Sequence, residues 1–397
     1  MSDPIYLDHN ATTPVRQEVV EAMLPFLTQH FGNPSSAHVY GQRARHAVDR
    51  AREQVAAALG CKPQEILFTS GGTEANNLAI RGVTAALPYR KHVITTAVEH
   101  PATAEPCNYL GRNGYKVDRL GVDGDGLVDL DELDRFVDTN TALVTILFAH
   151  NETGVIQPLL DIAKLAHRHS AVVHADAAQA VGKIPVRVED LRVDLLTVAG
   201  HKLGAPKGVG ALYVRTGTPL APLLLGASHE RGLRPGTENV ASIVGLGAAI
   251  ELAVAELDKY AGRIGGLRDT LWQSLQAGIP DLVCNGEGAP RLPNTLSVRF
   301  PRVTGHAVLA AAPELAASTG SACHDGSVTA PAVVVAMGVD AEAASGTVRL
   351  SLGRSTSLDD VQQAVGALVR GWRRVIEAGT GGGANIEVTH VDMAAKA

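Results

Sequence analysis

The strongest constraint on the fold is a regular alternation of short strand-like runs with helical patterns from residue 65 onward. ILFTS, HVITTAV, YKVDRL, LVTILFAH and AVVHAD are rich in β-branched and apolar residues, and a helical pattern follows each of the first four. Two more apolar runs, at 193–198 and 210–214, lie on either side of a glycine-rich turn. Such alternation is typical of a mostly parallel sheet covered on both faces. The sequence therefore predicts an α/β fold.

The pattern changes near residue 240. A long apolar-periodic stretch predicts one helix from about Val240 to Leu275, and LPNTLSVRF and GTVRLSLG predict strands of a second layer. GHAVLAAAP and LDDVQQAVGALVRGW predict helices beside these strands. Together these elements indicate a smaller α+β domain. The glycine-rich, aperiodic end of the chain predicts a mobile tail.

Composition excludes several classes of protein. The 397 residues are 45% hydrophobic, which suffices for a large core, and the net charge is -6. An acidic chain with interspersed charges is not expected to bind nucleic acid or an anionic membrane. The N-terminus lacks the pattern of a secretory signal, and no apolar run has the length of a membrane span. We therefore expect a cytoplasmic protein. Its four cysteines lack CxxC spacing, so we expect neither a metal site nor a disulfide framework.

Two charged residues follow strand-like runs and suggest a cofactor. The apolar run at 193–198 leads into Gly200, His201 and Lys202, and Asp176 ends AVVHAD. Active groups in open α/β sheets lie at the carboxyl ends of strands. A lysine that forms a Schiff base and a carboxylate that holds a pyridinium proton are the residues that pyridoxal phosphate requires. A solvated loop lysine is the alternative for Lys202 taken alone.

Further polar residues fall at the same predicted edge. In FTSGGTEANN a helix begins near Thr73, so its free N–H groups could hold a phosphate, although a simple N-cap fits equally. His100 could stack on a flat cofactor and move protons. Asn151 could bond a cofactor hydroxyl or form an Asx turn. Gln179 would share the side of Asp176, and His201 could donate to phosphate.

Three segments outside that edge carry further candidates. Cys323 lies in a Gly/Ser/Thr-rich segment, and His324 beside it could favour the thiolate. Arg349 alternates with apolar neighbours on a predicted strand and could bind a carboxylate, with a surface salt bridge as the alternative. ERGLRPGTENV, at 230–240, suits an anion site or a subunit contact as well as a solvated loop.

The ordered motifs of the chain resemble those of the class V, fold-type I pyridoxal phosphate enzymes, and among them the cysteine desulfurases and selenocysteine lyases. The resemblance covers nearly the whole chain except the tail. Its motifs are YLDHNATTP, GNPSSAH, FTSGGTEANN, EHPA, HNETGVIQP, HADAAQAVGK, GHKLGAPKGVGALYV, ERGLRPGTEN, GSAC and VRLSLGRST. Two departures stand out: Ala199 replaces a common Ser or Thr, and SACHDGS is more like the selenocysteine lyases.

The resemblance implies a homodimer whose large domain, residues 16–255, holds the cofactor on a mostly parallel seven-stranded sheet. Residues 1–15 and 256–377 would form the small domain that carries the cysteine loop, and 378–397 the tail. The implied roles follow by group. Lys202, Asp176, His100, Asn151 and Gln179 would contact the cofactor ring; Gly72, Thr73, His201 and, from the partner subunit, Thr237 the phosphate; Asn33 and Arg349 the substrate carboxylate.

The implied reaction converts L-cysteine to L-alanine and leaves the sulfur on Cys323 as a persulfide, for delivery to an acceptor protein of unknown identity. Selenium release from L-selenocysteine is the nearest alternative. A scaffold that keeps the fold without turnover is a more distant one. A dinucleotide-binding oxidoreductase has little support because no GxGxxG follows the first strand.

Overall fold

A seven-stranded sheet forms the centre of the computed structural model, which describes residues 3–320 and 330–380. The strands described are β1 Ile5–Tyr6, β2 Ile66–Thr69, β3 His92–Thr96, β4 Lys116–Leu120, β5 Thr141–Leu147, β6 Val172–Asp176, β7 Leu195–Ala199, β8 Gly210–Val214, β9 Val283–Cys284, β10 Thr295–Arg299, β11 Leu315–Ala316 and β12 Thr347–Ser351. The large sheet has the order β2-β8-β7-β6-β5-β3-β4. Strand β8 is antiparallel to both neighbours, and the other neighbouring strands are parallel. The predicted α/β fold is confirmed.

Helices cover both faces of this sheet. The helices described are α1 Gln17–Thr28, α2 Val39–Leu59, α3 Gly72–Ala86, α4 Pro101–Arg112, α5 Leu130–Phe136, α6 Leu159–His167, α7 Val188–Leu191, α8 Val240–Ala255, α9 Leu257–Gly278, α10 Gly305–Ala310, α11 Ala332–Ala336, α12 Ala341–Ser345 and α13 Leu358–Thr380. Because side chains alternate along a strand, Val172 and Val173 belong to different apolar clusters, as do Leu195 and Leu196. One cluster includes residues of α3 and α4, and the other residues of α2, α6 and α8.

A further apolar cluster lies around the antiparallel strands β10 and β12, with α9 and α13 packed on it. Leu7, near the start of the chain, belongs to this cluster, and β1 pairs in parallel with β11. The predicted strands of the second layer are therefore present. The domain boundaries at 15/16 and 255/256 stay a prediction. Of the predicted tail, residues 378–380 continue α13, and 381–397 lie outside the described residues.

The prediction of one continuous helix from Val240 to Leu275 is wrong. Helix α8 ends at Ala255, and α9 begins at Leu257 after a bend of 71°. Helix α8 packs in the cluster against the large sheet and α9 in the cluster around β10. At the bend, Glu256 makes ion pairs with Arg16 and Arg354. A continuous apolar pattern cannot reveal such a bend, because its cause is packing against two different cores.

In the part of the chain that the structure describes, no individual helix has the length and apolarity of a membrane span. The bent pair α8 and α9 passes that test only when its two helices are taken together.

Candidate active site

Eight of the predicted site residues line one cavity of about 260 Å³ at the carboxyl end of the parallel strands. Strands β5, β6 and β7 all end at this cavity, as expected for a site in an open α/β sheet. The eight residues are Gly72, Thr73, His100, Asn151, Asp176, Gln179, His201 and Lys202.

Lys202 lies in a short 3₁₀ turn that directly follows β7. Its Nζ donates to the carbonyl oxygen of Asn10 at 2.6 Å and to that of Ala11 at 2.9 Å. The pKa of Lys202 is lowered from 10.5 to about 8, mainly by burial and next by the positive charge of Arg349, and the carboxylates of Asp176 and Asp8 oppose this shift. At pH 7 about a tenth of the amine is therefore uncharged, far more than for an ordinary lysine, and a nucleophilic lysine requires this form.

Asp176 is the last residue of β6 and only 3% exposed. Its Oδ2 accepts from Nδ2 of Asn76 at 2.7 Å, and its Oδ1 accepts from the N–H of Ala178 at 3.0 Å. Both donors are neutral, so the negative charge is available to a protonated ring nitrogen in the cavity. Asn76, on α3, was not among the predicted residues, since its partner is 100 residues away along the chain.

His100 is the N-cap of α4, and its Nδ1 accepts from the N–H of Ala102 at 3.1 Å. The neutral ring must therefore carry its hydrogen on Nε2. Desolvation lowers the pKa of His100, although part of its surface remains exposed; Asp176 opposes this shift and Lys202 adds to it. A neutral imidazole with a fixed tautomer can donate or move a proton at Nε2.

The start of α3 forms a compact cradle. Gly71 has φ of 149°, and a Cβ on Gly72 would lie 3.3 Å from Cβ of Ala199. Because Gly71 has no side chain to cap the helix, the first N–H groups of α3 remain available to an anion. Thr73 lies in this turn. Burial lowers the pKa of His201 to about 4, with nearby lysines adding to the shift, so its ring is neutral.

Three predicted residues in the described part of the chain do not line this cavity: Asn33, Thr237 and, at its border, Arg349. Asn33 is exposed and its Oδ1 accepts from the N–H of Ser35 at 2.9 Å, which makes a local Asx turn. Thr237 is exposed in the segment before α8. Their roles stay predictions.

Arg349, on β12, is 5% exposed and therefore does not form a surface salt bridge. It pairs with Asp8 at 2.5 Å and donates to the carbonyl oxygen of Asn151 at 3.1 Å. Its Nε is buried without a partner in the structure. Because Asn151 lines the cavity, Arg349 lies at its border, and its Nε has no acceptor among the residues that the structure describes.

Cys323 and His324 lie outside the described residues. The preceding residues lie near the cavity: Ser318 pairs with Arg349 through main-chain hydrogen bonds, and a Cβ on Gly320 would lie 2.6 Å from Oε2 of Glu152. Cys323 is three residues beyond Gly320, a reach of at most about 11 Å.

Sequence reasoning missed Asn10, which is 1% exposed and fully hydrogen-bonded. Its side chain binds Lys183, Asn294, Thr295 and the carbonyl of Asn151. Its main-chain carbonyl and N–H form hydrogen bonds with the side chains of Gln179, Lys202 and Ser351, which are 169 to 341 positions away along the chain. The signal that could have revealed Asn10 is its place in YLDHNATTP, one of the motifs that carry the family resemblance.

Glu99, beside His100, was missed as well. Its Oε1 accepts from Oγ1 of Thr96 at 2.8 Å and from the N–H of Leu147 at 3.0 Å, and its Oε2 is buried without a partner in the structure. The pKa of Glu99 is raised from 4.5 to about 8, mainly by burial; its two hydrogen bonds oppose this shift, and the charge of Asp176 adds to it. The carboxyl group is therefore largely protonated at neutral pH.

The residues of the cavity fit pyridoxal phosphate. A glycine-rich helix start with a hydroxyl and a neutral histidine suits a phosphate, and a buried carboxylate suits a pyridinium nitrogen. An amine with a lowered pKa, that of Lys202, lines the same cavity.

Comparison with known proteins supports the same class. Residues 5–364 match the model of the family described as aminotransferase class-V. Cysteine desulfurase IscS of Dictyoglomus turgidum is 46% identical over 373 residues, which cover 93% of this chain and 95% of the relative. A solved NifS-like protein has a TM-score of 0.86 and 38% identity, covering 94% of this chain and 100% of that chain. A structure described as SspA in complex with cysteine has a TM-score of 0.78 and 35% identity, over 87% of this chain and 98% of that one.

The chain belongs to the aminotransferase class-V family, with the fold-type I architecture of pyridoxal phosphate enzymes. Within that class it is a cysteine desulfurase, because curated desulfurases align with it at 44–48% identity over nearly their whole length. The predicted family and enzyme class are confirmed.

Proposed function

We propose that pyridoxal phosphate occupies the strand-end cavity and that the residues lining it take the roles their positions suggest. Lys202 would hold the cofactor covalently, Asp176 its ring nitrogen, and Gly72, Thr73 and His201 its phosphate. Asn151 and Gln179 would bind the ring oxygen, and His100 would stack on the ring. The observation that carries the proposal is the common cavity of Lys202, Asp176 and the start of α3.

When bound, the cofactor supplies an electron sink for the bonds around the substrate Cα. The amine of Lys202, with its pKa near 8, is suited to remove the Cα proton. His100 moves protons at Nε2, and Arg349, with Asn33, holds the substrate carboxylate.

The thiolate of Cys323 then attacks the substrate sulfur. The carbon–sulfur bond breaks, a sulfur–sulfur bond forms on Cys323, and the substrate leaves as L-alanine once one proton has been added to its β-carbon and another has been returned to its Cα. Each cysteine thus yields one alanine and one enzyme persulfide, which is passed to an acceptor protein. The proximity of Ser318 and Gly320 to Arg349 and Glu152 supports this role for a residue so soon after them.

The purified protein should convert L-cysteine to L-alanine and show a visible absorbance band from bound cofactor. Lys202→Ala should lose both the covalent band and turnover. Cys323→Ala should keep the band and lose persulfide and catalytic alanine formation. A wild-type protein without the band would contradict the cofactor assignment, and full alanine output from Cys323→Ala would contradict the persulfide step. A band without turnover would favour a scaffold.

Selenocysteine as an additional substrate stays a prediction, based on SACHDGS. Parallel assays of both amino acids decide it, because a lyase specific for selenium would release selenide while leaving cysteine unconverted.

We also propose a homodimer in the cytoplasm. Exposed apolar side chains at the N-terminal helices support the dimer, and the segment with Thr237 would complete the phosphate site of the partner subunit. The net charge supports the absence of a nucleic-acid or membrane partner.

A further inference from the structure

Lys183 is a buried lysine that lies outside the strand-end cavity. It follows β6, is 4% exposed, and lines a second cavity of about 160 Å³, which Lys202 also lines. Its Nζ donates to Oε1 of Gln179 at 2.5 Å and to Oδ1 of Asn10 at 3.1 Å. Burial holds the pKa of Lys183 well below its usual value, and the charges of Lys202 and Arg349 lower it further. A buried amine of this kind needs an explanation, and neither substrate nor cofactor chemistry supplies one directly.

The contacts of Gln179 fix the orientation of its amide. Oε1 accepts from Lys183, while Nε2 donates to the carbonyl oxygen of Asn10 at 2.9 Å. In the flipped orientation, the amide oxygen would face the carbonyl oxygen of Asn10 with no hydrogen between them, and the Lys183 amine would lose Oε1 as the acceptor of one of its hydrogens. Both contacts would be lost at once, and buried polar groups without partners are costly. Only one orientation of the amide is therefore compatible with the two partners.

This orientation determines what Gln179 offers to the strand-end cavity. An amide NH₂ group has two hydrogens, and Asn10 takes one of them. The other hydrogen remains for a ligand, whereas Oε1 is engaged by Lys183. The side chain can thus donate to an oxygen in the cavity.

Lys183 also reaches Lys202 through Asn10. The side chain of Asn10 accepts from Lys183, and its main-chain carbonyl accepts from both Lys202 and Gln179. One asparagine therefore connects the buried amine to two residues of the cavity.

We propose that Lys183 is a positioning residue that holds the Gln179 amide with its NH₂ group toward the cofactor, ready to donate to the ring oxygen. The inference rests on the proposed binding of pyridoxal phosphate in the strand-end cavity. Lys183 itself touches neither cofactor nor substrate and acts through Gln179.

The test compares Lys183→Met, Gln179→Met and the double variant by two properties of the cofactor complex. One is the dissociation constant of pyridoxal phosphate, and the other is the midpoint of the pH titration of its visible band. Lys183→Met should weaken cofactor binding about tenfold, the effect expected from one poorly oriented hydrogen bond, and should shift the midpoint. The double variant should bind no more weakly than Gln179→Met, because the two residues act as one unit.

Two further variants make the test decisive. Lys164→Met, on the exposed surface of α6, should leave affinity and midpoint unchanged. Gln179→Glu keeps an oxygen for Lys183 but presents no NH₂ group, so it should lose as much affinity as Gln179→Met. Gln179→Glu retains Lys183. It therefore tests whether the NH₂ group of Gln179 is needed for cofactor binding, even if the Lys183 variants fail to fold.

Wild-type affinity and spectrum in Lys183→Met, additive losses in the double variant, or undiminished affinity in Gln179→Glu would each overturn the inference. A wild-type protein that binds no pyridoxal phosphate would instead contradict the proposed function. The two failures are therefore distinguishable.

Discussion

At the scale of single residues, the site depends on ionisable groups whose surroundings change their charge. Desolvation favours the neutral form of both Lys202 and Glu99, and it therefore shifts their pKa values in opposite directions. For the lysine the neutral form is the deprotonated amine, and for the glutamate it is the protonated acid. Both shifts can be measured.

Cofactor binding to the protein freed of pyridoxal phosphate should speed up as pH rises and level off above about 8. The reason is that burial lowers the pKa of Lys202 to about 8, and only the uncharged amine attacks an aldehyde. Stopped-flow absorbance at a series of pH values measures the midpoint. In Arg349→Met the midpoint should move upward, since Arg349 contributes to the lowering. A wild-type midpoint near 10.5 would show that the amine is fully solvated.

Glu99→Gln should lose less stability than the wild type as pH rises from about 4.5 to 8. In the folded state Glu99 keeps its proton up to about pH 8, whereas in the unfolded state it releases the proton near pH 4.5. Between these pH values the folded state binds one proton more, so the free energy of unfolding of the wild type falls as pH rises. Between pH 5 and pH 8 the free energy of unfolding of the wild type should fall by about 2–4 kcal/mol more than that of Glu99→Gln. Urea unfolding at pH 5, 6.5 and 8 measures it.

Glu105→Gln, a change of an exposed carboxyl group on α4, is the matched control and should show no such trend. Parallel stability curves for wild type and Glu99→Gln would mean that Glu99 ionises normally in the folded protein.

At the scale of elements, the cavity depends on how closely β8 approaches the start of α3. A Cβ on Gly210 would lie 2.6 Å from the carbonyl oxygen of Val198 and 2.8 Å from the backbone of Gly71. Glycine is therefore required at this position of the strand. The close contact between Gly210 and the backbone of Gly71 sets the position of the turn that would hold the phosphate.

Gly210→Ala should lower the free energy of unfolding by about 1–3 kcal/mol and weaken cofactor binding, because the methyl group must push the backbone of Gly71 aside. Gly262→Ala is the control. Gly262 is exposed on α9 with open space around its Cβ position, so alanine should stabilise the protein by up to about 1 kcal/mol. Thermal unfolding and cofactor titration compare the two, and equal behaviour would contradict the proposed steric role of Gly210.

The strand ends explain which parts of the site could be predicted from the sequence. Strand-end placement predicted the meeting of Lys202, Asp176 and His100, because parallel strands end on one edge and the order of the chain reveals their ends. Asn10 and Lys183 escaped prediction because their contact spans 173 positions and neither residue ends a strand of the large sheet. Asn33 was assigned through resemblance, and it does not line the cavity of this chain. Thr237 was expected at the phosphate site of the partner subunit, so its role stays a prediction.

At the scale of the whole molecule, an apolar area on the N-terminal helices remains uncovered. Leu24 is 54% exposed, Leu27 63% and Phe31 75%, and Val39 and Tyr40 are exposed nearby. Large apolar side chains that are exposed near one another commonly mark a protein interface.

Leu27→Glu combined with Phe31→Glu should convert the proposed homodimer to monomers, because two charges would be buried without partners in each half of the interface. Analytical ultracentrifugation measures the change in mass. Tyr89→Glu, at a side chain 72% exposed elsewhere, should leave the mass unchanged. A dimer that persists with both charges present would place the interface on another surface.

The hydrogen bonds of Asn10 have a consequence for how the chain is made. Its partners include Asn151, Lys202, Thr295 and Ser351, so the segment that holds the Lys202 amine can reach its final place only after residue 351 has left the ribosome. Domains generally fold as units while synthesis proceeds from the N-terminus, and the large sheet, complete at residue 214, can form before that point. The hydrogen bonds of Asn10 are therefore complete only late in biosynthesis, although Asn10 itself is among the earliest residues to be translated.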